Sequence, residues 1–448
     1  MPAIGVVSDD LTGSTTCAVL LARSGMETAV LTEPGHPEAL RYAEGKKVVV
    51  ISTNSRPLPP KTAYEAAASA VAALSRLGVR QFSKRIDTTF RGSIGAEVDA
   101  MLDHLGPEAV AVVVPAMPRS RRFLSGGYSI IDGVPLEQTS AASDVCTPVR
   151  ESHIPSLLAK QTSRKVGFVE LKYVLSGGEQ LTRRMCQLRA NGCTVLVADA
   201  VTESDIQQIA SACVSLDWDV LAVDPGPFTV KLAFCRGLAG PEQPVSPLHP
   251  TAVQGRCVLA AVGSASPVTR RQLDLFCRQT ENLCLHVDPF HLIGDKSSFC
   301  REVATVVQSA SAYLASGNPP HALVFATADS GSLIRLGEED ALRGYAPGTC
   351  AQRINRGLGE VIKALMDKHL DAIAGLYCTG GDTQAAVCHA LGVYCLEAVD
   401  YLIPQTDITR LIGPYAGTPM IGKGGLTGDD NIIFRIAERL RQEAFPRC

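Results

Sequence analysis

The sequence predicts an α/β protein of two domains, each a mainly parallel sheet flanked by helices, with a cleft between them. Three observations carry this. Short apolar runs alternate with amphipathic stretches from end to end, and such alternation builds parallel sheets from β-α-β units. At about 100–200 residues per domain, a length of 448 residues favours two large domains. The alternation fails at Leu238–Thr251, "LAGPEQPVSPLHPT", whose prolines forbid regular helix or central strand. That stretch reads as a linker. It places a boundary near residue 245, giving domains 1–245 and 246–448.

The elements follow in order. Strand-like runs are Ile4–Val7, Val48–Ser52, Gln81–Ser83, Ala109–Val114, Thr194–Ala198 and Val220–Val223. Thr62–Leu77 and Ile94–Leu105 carry Ala, Leu and Val at helical spacing. After the linker the pattern restarts with a strand at Cys257–Val262 and a helix from about Pro267. Further strands are expected at Leu323–Ala326 and Ile373–Cys378.

A net charge of −3 leaves no broad basic surface, which argues against nucleic acid or an anionic membrane as partner and for a small molecule. No uncharged apolar run reaches the ~18–20 residues that span a bilayer, and no basic segment precedes an apolar core at the N-terminus. A soluble, cytoplasmic protein is expected. The 15 cysteines are odd in number and form no Cys-x-x-Cys pair. They read as small buried hydrophobes in a reducing compartment, and no metal-ligand cluster is legible.

Chemistry first shows at "SDDLTGSTTC", where Asp9 and Asp10 end the first strand. Ligands of open α/β sheets collect at the carboxyl ends of strands. A helix should start at Thr12 or Ser14, with Gly13 easing a tight turn whose amides could hold an anion. The structural alternative is that Asp10 caps this helix while Asp9 is solvated. A second strand end carries Lys84, Arg85, Asp87, Thr88, Thr89 and Arg91, with Gly92 beside them. A third carries Asn54 and Arg56. In a parallel sheet the three loops would converge on one edge. Carboxylates that accept from hydroxyls, beside guanidiniums that fork onto a carboxylate, suit a small polyhydroxy acid.

The second half carries phosphate chemistry. "VGSASPVTRRQ" and "CTGGDTQAAVCHAL" each lead from a strand into a helix, the latter helix from about Thr383. Their Ser264, Ser266, Gly380, Gly381, Asp382 and Thr383 sit where backbone amides and a helix start favour negative charge. "PMIGKGGLTGDDN" adds Lys423, Gly424 and Gly425. Three such turns suggest a nucleotide. Gly417–Gly424 nearly spells a P-loop but lacks the final hydroxyl, so a P-loop is rejected. No G-x-G-x-x-G follows a strand, leaving a dinucleotide enzyme unsupported.

"SDDLTG", "KRIDTTFRGSIGAEVDA", "VVPAMP", "DGVPLEQT" with "SDVCTPV", "GSASPVTRRQ", "GGDTQAAV" and "GKGGLTGDD" keep the order seen in the four-carbon acid sugar kinase family, which the chain resembles over nearly its whole length. The resemblance implies ATP-dependent phosphorylation of the terminal hydroxyl of a threonate- or erythronate-type acid. It puts the acid on the N-terminal domain and ATP, with Mg²⁺, on the C-terminal one. It assigns substrate contacts to Asp9, Asp10, Arg56 and the Lys84–Arg91 loop, which holds Asp87, Thr88, Thr89 and Arg91. ATP contacts fall on Ser264 or Ser266, Gly380, Gly381, Asp382, Thr383 and the Lys423–Gly425 turn. Asp9, Asp10, Asp87 and Asp382 are the candidate bases, unranked. This chain departs from the family pattern mostly on the acid side, for example with Thr88 and Phe90 in the Asp-Ser-Thr-Leu-Arg-Gly motif. A kinase for another small hydroxy acid, such as a hydroxylated amino acid, and a non-catalytic nucleotide- and sugar-acid-binding regulator are the alternatives. A homo-oligomer is left open.

Overall fold

The structure is a computed structural model describing residues 1–144, 147–248, 255–316, 319–327 and 334–444. It divides into two compact units, Met1–Pro244 and Val245 onward. The local bonding explains the division. Gly240 and Gln243 donate backbone bonds to Ser24 and Arg23 of the first unit. Ser246 donates to Asp400 (3.0 Å) and accepts from Arg439 (2.9 Å) in the second. Residues 249–251 of the expected linker lie outside the described residues.

In the first unit the strands are β1 (Ile4–Ser8), β2 (Thr28–Leu31), β3 (Val48–Ser52), β4 (Gln81–Arg85), β5 (Val110–Val113), β6 (Arg122–Ser125), β7 (Tyr128–Ile131), β8 (Val134–Pro135), β9 (Val166–Val169), β10 (Val195–Ala198) and β11 (Val220–Asp224). The helices are α1 (Leu11–Arg23), α2 (Pro37–Tyr42), α3 (Pro60–Arg76), α4 (Ile94–Leu105), α5 (Ile154–Gln161), α6 (Leu171–Ser176), α7 (Gly178–Ala190), α8 (Glu203–Ser215) and α9 (Pro227–Cys235). The main sheet runs β2-β3-β1-β4-β11-β5-β10-β9, and every pairing in it is parallel. Its central strands are buried along their whole length, which is why they read as continuous apolar runs rather than alternating ones. The chain leaves β1 toward β2 on one side and β4 toward β5 on the other. The crevice of this open sheet therefore falls between the ends of β1 and β4.

A small antiparallel sheet, β6-β7-β8, interrupts the alternation. The buried Asp199 at the end of β10 pins it, accepting from the amides of Gly126 and Gly127 at 2.9 Å each. Lone apolar runs did not announce this excursion in the sequence.

The second unit comprises β12 (Cys257–Val262), α10 (Pro267–Cys277), β13 (Asn282–His286), α11 (Pro289–Ile293), α12 (Lys296–Leu314), β14 (Ala322–Ala326), α13 (Leu336–Leu342), α14 (Thr349–His369), β15 (Ile373–Thr379), α15 (Gly381–Leu391), β16 (Cys395–Tyr401), β17 (Thr406–Ile412), β18 (Pro419–Lys423) and α16 (Ile432–Glu443). Its strand order is β13-β14-β12-β15-β18-β17-β16. Pairing is parallel as far as β18 and antiparallel through β17 and β16. Connections leave β12 and β15 in opposite directions, so the crevice here lies between those two strand ends. Gly359 lets α14 approach α15 closely, since a Cβ there would lie 2.7 Å from the Ala386 carbonyl. That contact fixes where α15 begins. The near-P-loop at Gly417–Gly424 is mostly strand β18, so it cannot wrap a phosphate.

Eight of the free cysteines are buried, as small hydrophobes should be, while Cys186 and Cys300 are exposed. Cys277 and Cys284 depart from that expectation and form a disulfide between α10 and β13, with Cα atoms 5.9 Å apart. Among the described residues no helix is long and apolar enough to cross a membrane.

Candidate active site

The three strand-end loops of the first unit meet because β3, β1 and β4 are neighbours in register, Ser52–Ser8–Arg85. Arg56, four residues past β3, sends Nε to Asp9 Oδ2 (2.7 Å) and Nη1 to Asp10 Oδ2 (2.7 Å). Arg85 sends Nη1 to Asp10 Oδ1 (3.0 Å) and lies 3.6 Å from Asp9 Oδ1. Two adjacent carboxylates are thus held by two guanidiniums from different strands.

Asp10 also caps α1, accepting from Gly13 N at 2.8 Å. That amide is therefore not open to an anion, contrary to the sequence reading. Asp9 is not solvated either, being 2% exposed. Burial works to raise its carboxyl, but Arg56, Lys84 and Arg85 outweigh burial and hold it below the usual carboxylate range.

The Asp87–Arg91 turn forms the other wall. Asp87 accepts from Arg91 Nε (2.6 Å) and from the Thr89 hydroxyl. Burial is again outweighed, here by Arg56, Arg91 and Arg85, and its carboxyl is held far below the usual range. Thr88 is buried in the same turn. Arg91 Nη1 reaches Asp144 at 3.2 Å, so the segment after β8 also joins the cluster. Phe90, 1% exposed, adopts a positive φ of 55°, and this turns Arg91 back toward Asp87.

Lys84 is the correction here. It is 0% exposed and pairs with Glu97 of α4 at 3.1 Å. Successive strand residues point to opposite faces. Arg85 therefore faces the aspartates, and Lys84 supports them from the other side without an exposed atom for a ligand. Three polar atoms of this cluster are buried and have no hydrogen-bond partner among the described residues: Asp9 Oδ1, Arg56 Nη2 and Arg85 Nε.

In the second unit the start of α15 is open. Gly380, with φ 96°, occupies its N-cap, and no side chain caps it. The first-turn amides, from Gly381 through Asp382 and Thr383, therefore lack intrahelical acceptors and favour an anion. Asp382 is exposed at this turn. Thr383 donates to Asn355 Oδ1 of α14 at 2.8 Å. A Cβ on Gly263, just after β12, would lie 2.4 Å from Thr383 Oγ1. The absence of a side chain at Gly263 thus lets the first turn of α15 sit against the end of β12.

α10 differs, because Ser266 caps it through Thr269 N (3.1 Å). The Ser266 and Thr269 hydroxyls then donate to the Gly425 carbonyl at 2.6 and 2.8 Å. Ser264 Oγ lies nearby and accepts from Thr269 at 3.4 Å. Gly424 N donates to the Gln405 carbonyl at 3.1 Å. Lys423 is not a solvated loop residue. It ends β18, is 1% exposed, and donates to the carbonyls of Gly424 (2.9 Å) and Thr427 (3.3 Å). Burial pushes its pKa down to about 8. Sequence reasoning singled out the residues of this cradle but missed Asn355, Gln405 and Thr269.

An arginine–aspartate cluster at one switch point and an uncapped Gly-Gly helix start at another define a phosphotransferase that acts on a small hydroxy acid. Family models agree. A sugar-binding N-terminal domain matches residues 4–232 and a nucleotide-binding C-terminal domain matches residues 259–433. Over its full length the chain is 34% identical to a D-erythronate kinase of Heliobacterium modesticaldum, covering 100% of that protein. It is 31% identical to a D-threonate kinase of Bordetella bronchiseptica, covering 100% of this chain and 99% of that one. A Salmonella typhimurium structure titled a putative tRNA synthase has the same fold, with TM-score 0.75 at 20% identity over 97% of this chain and 98% of that one. The chain belongs to the four-carbon acid sugar kinase family, ATP-dependent phosphotransferases with an alcohol group as acceptor.

Gly13 offers a direct test of the cluster. A Cβ there would lie 1.7 Å from Arg85 Nη1 and 2.5 Å from Asp10 Oδ1. Arg85 is 4% exposed and has nowhere to swing. Glycine to alanine inside a helix ordinarily gains up to about 1 kcal/mol. G13A should instead lower the melting temperature and raise the KM for the sugar acid at least tenfold. A stabilised variant with unchanged KM would show that Arg85 does not stand where described.

Proposed function

We propose that this chain transfers the γ-phosphoryl group of ATP to the terminal hydroxyl of a four-carbon sugar acid of the erythronate or threonate type. The observation that carries the acid side is the meeting of three guanidiniums, Arg56, Arg85 and Arg91, with three carboxylates, Asp9, Asp10 and Asp87, at adjacent strand ends. Guanidiniums fork onto a carboxylate and carboxylates accept from hydroxyls, so a polyhydroxy carboxylate suits the cluster. Arg56, Arg85 and Arg91 grip the acid group. Asp9, Asp10 and Asp87 accept from its hydroxyls, with Thr88 and Thr89 completing the wall.

ATP lies with its phosphates on the amides of Gly380–Thr383. Ser264 and Ser266 flank it with the Lys423–Gly425 turn, and the Lys423 charge sits beneath. Mg²⁺ suits this arrangement as an ion that arrives on the triphosphate with its own waters. The described residues contain no group of three or more His, Cys, Asp or Glu able to hold a metal, and the Ser264 and Thr383 hydroxyls would offer neutral oxygens to it. When bound it would neutralise charge developing on the phosphates. The transfer needs the acid's hydroxyl in line with the γ-phosphate and water excluded.

Asp382 is the base in this reading. Neighbouring cations hold the Asp9 and Asp87 carboxyls below the usual range, which makes them weak bases. Asp382 is exposed beside the phosphate turn. D382N should lower kcat about 10²–10⁴-fold with both KM values nearly unchanged. An unaffected kcat would return the role to the first unit.

The substrate is tested by ADP release across D- and L-erythronate, D- and L-threonate and a set of hydroxylated amino acids. Turnover of a four-carbon acid is expected, with kcat/KM well above any amino acid. ATP binding with no ADP release from any acid would instead indicate a regulator. Lys423 adds a pH signature. Its ammonium is present below about 8 and lost as pH rises through that value, so the KM for ATP should climb there. K423M should raise that KM and flatten its pH dependence. A wild-type KM that stays level across this value would exclude Lys423 from the phosphate site.

A further inference from the structure

Beneath the arginine clamp lies a second, wholly buried charge pair with no ligand-facing atom. Lys84 is 0% exposed and Glu97 1%. Glu97 Oε2 takes Lys84 Nζ at 3.1 Å, and its Oε1 accepts from the Ser55 hydroxyl. Ser55 precedes Arg56, and Lys84 precedes Arg85. One carboxylate on α4 therefore holds the neighbours of both guanidiniums that reach Asp9 and Asp10.

The ties continue to the backbone. Lys84 Nζ also donates to the Arg85 carbonyl at 3.1 Å. Ser55 Oγ accepts from the Thr53 hydroxyl (2.7 Å), and Thr53 N donates to the Ser8 carbonyl (2.9 Å) at the end of β1. Arg56 N donates to the Asp9 carbonyl at 3.3 Å. Gly92, in the loop leading to α4, lies so close to Arg56 that a Cβ would be 3.3 Å from its carbonyl oxygen. The ends of β3 and β4 thus meet on one acidic side chain, and the end of β1 joins them through Thr53.

A buried ion pair is weak evidence for stability, since well-packed apolar residues often replace one without loss. What such residues could not reproduce is the directional bonding to Ser55 and Lys84 together. We propose that Glu97 is a positioning residue of the sugar-acid site: its carboxylate ties the loop carrying Arg56 to the strand end carrying Arg85 and so sets the spacing of the two guanidiniums. This rests on the reading of those arginines as the acid's grip.

Three variants separate the possibilities, each assayed for sugar-acid KM, ATP KM, kcat and melting temperature. R56A tests the grip and should raise the acid's KM about 100-fold, leaving that for ATP unchanged. S55A removes one tie but leaves the Lys84–Glu97 pair intact, so it cannot unfold the protein through a stranded charge. It should raise the acid's KM about 5- to 20-fold, leave the ATP KM unchanged, and lower the melting temperature by a few degrees because Glu97 Oε1 loses its donor. K84M/E97M removes both charges together. It should melt at or near the wild-type temperature yet raise the acid's KM at least about tenfold. If R56A raises the acid's KM while S55A and K84M/E97M leave it at the wild-type value, the Glu97 proposal falls alone. The same holds if those two weaken acid and ATP equally. If R56A leaves the acid's KM unchanged, the grip falls and the Glu97 proposal with it.

Discussion

Two adjacent carboxylates at the end of a buried central strand are untenable unless cations meet them, and this constraint organises the first unit. Like charges about 4 Å apart repel by about 4 kcal/mol even at an effective dielectric of about 20, and burying each ion adds several kcal/mol more. Asp9 and Asp10 are therefore held only because β3 and β4 flank β1 and deliver Arg56 and Arg85 at the same level. The glycine at position 13 follows from the same requirement, since any side chain there would displace the Arg85 guanidinium. So does the apolar continuity of the strands, which must bury both faces to bring these ends together.

The second unit offers an anion other means. Its proposed cradle presents backbone rather than paired charge: an uncapped helix start packed against the end of β12 at Gly263. The hydroxyls of Ser266 and Thr269 are committed to holding the Gly425 carbonyl, so they shape the turn. This contrast fits the two ligand classes. A triphosphate carries much charge of its own and needs amides placed along it. A small acid carries one charge and several hydroxyls, and discriminating among such acids calls for fixed, directional partners.

Much of this was legible beforehand, and what was not has physical causes. Central strands such as Val48–Ser52 and Cys257–Val262 were readable because full burial leaves an unbroken apolar run. Charged residues placed between a strand and a helix marked the arginine–aspartate cluster as a candidate site, because the sheet geometry gathers strand ends. Lys84 and Arg85 could not be told apart, because which face each takes depends on register within a strand that is buried on both sides. Glu97, Asn355 and Asp144 gave no local signal, since their partners lie on other elements and only tertiary contact reveals them. The Cys277–Cys284 pair has a spacing that matches no motif, and it appears only because α10 and β13 lie side by side. α15 starts at Gly381 rather than Thr383 because Gly380 supplies the positive φ that lets the helix begin at once.

The preference among four-carbon acids should then reside in the Asp87–Arg91 turn rather than in the Asp9–Arg56 pair. The pair is locked from below by buried side chains, which leaves little freedom to reshape it. The turn is held differently. Phe90 sits at φ 55° and Gly92 at φ 93°, and a bulky residue at positive φ costs on the order of 1–2 kcal/mol that its burial must offset. Phe90 is packed to 1% exposure, so its ring anchors the reversal that aims Arg91 at Asp87. A change in the anchoring side chain would tilt Arg91 without disturbing the ion pairs beside it. In the proposed site the acid group would meet rigid elements, and hydroxyl stereochemistry would be read by a strained turn that packing can retune.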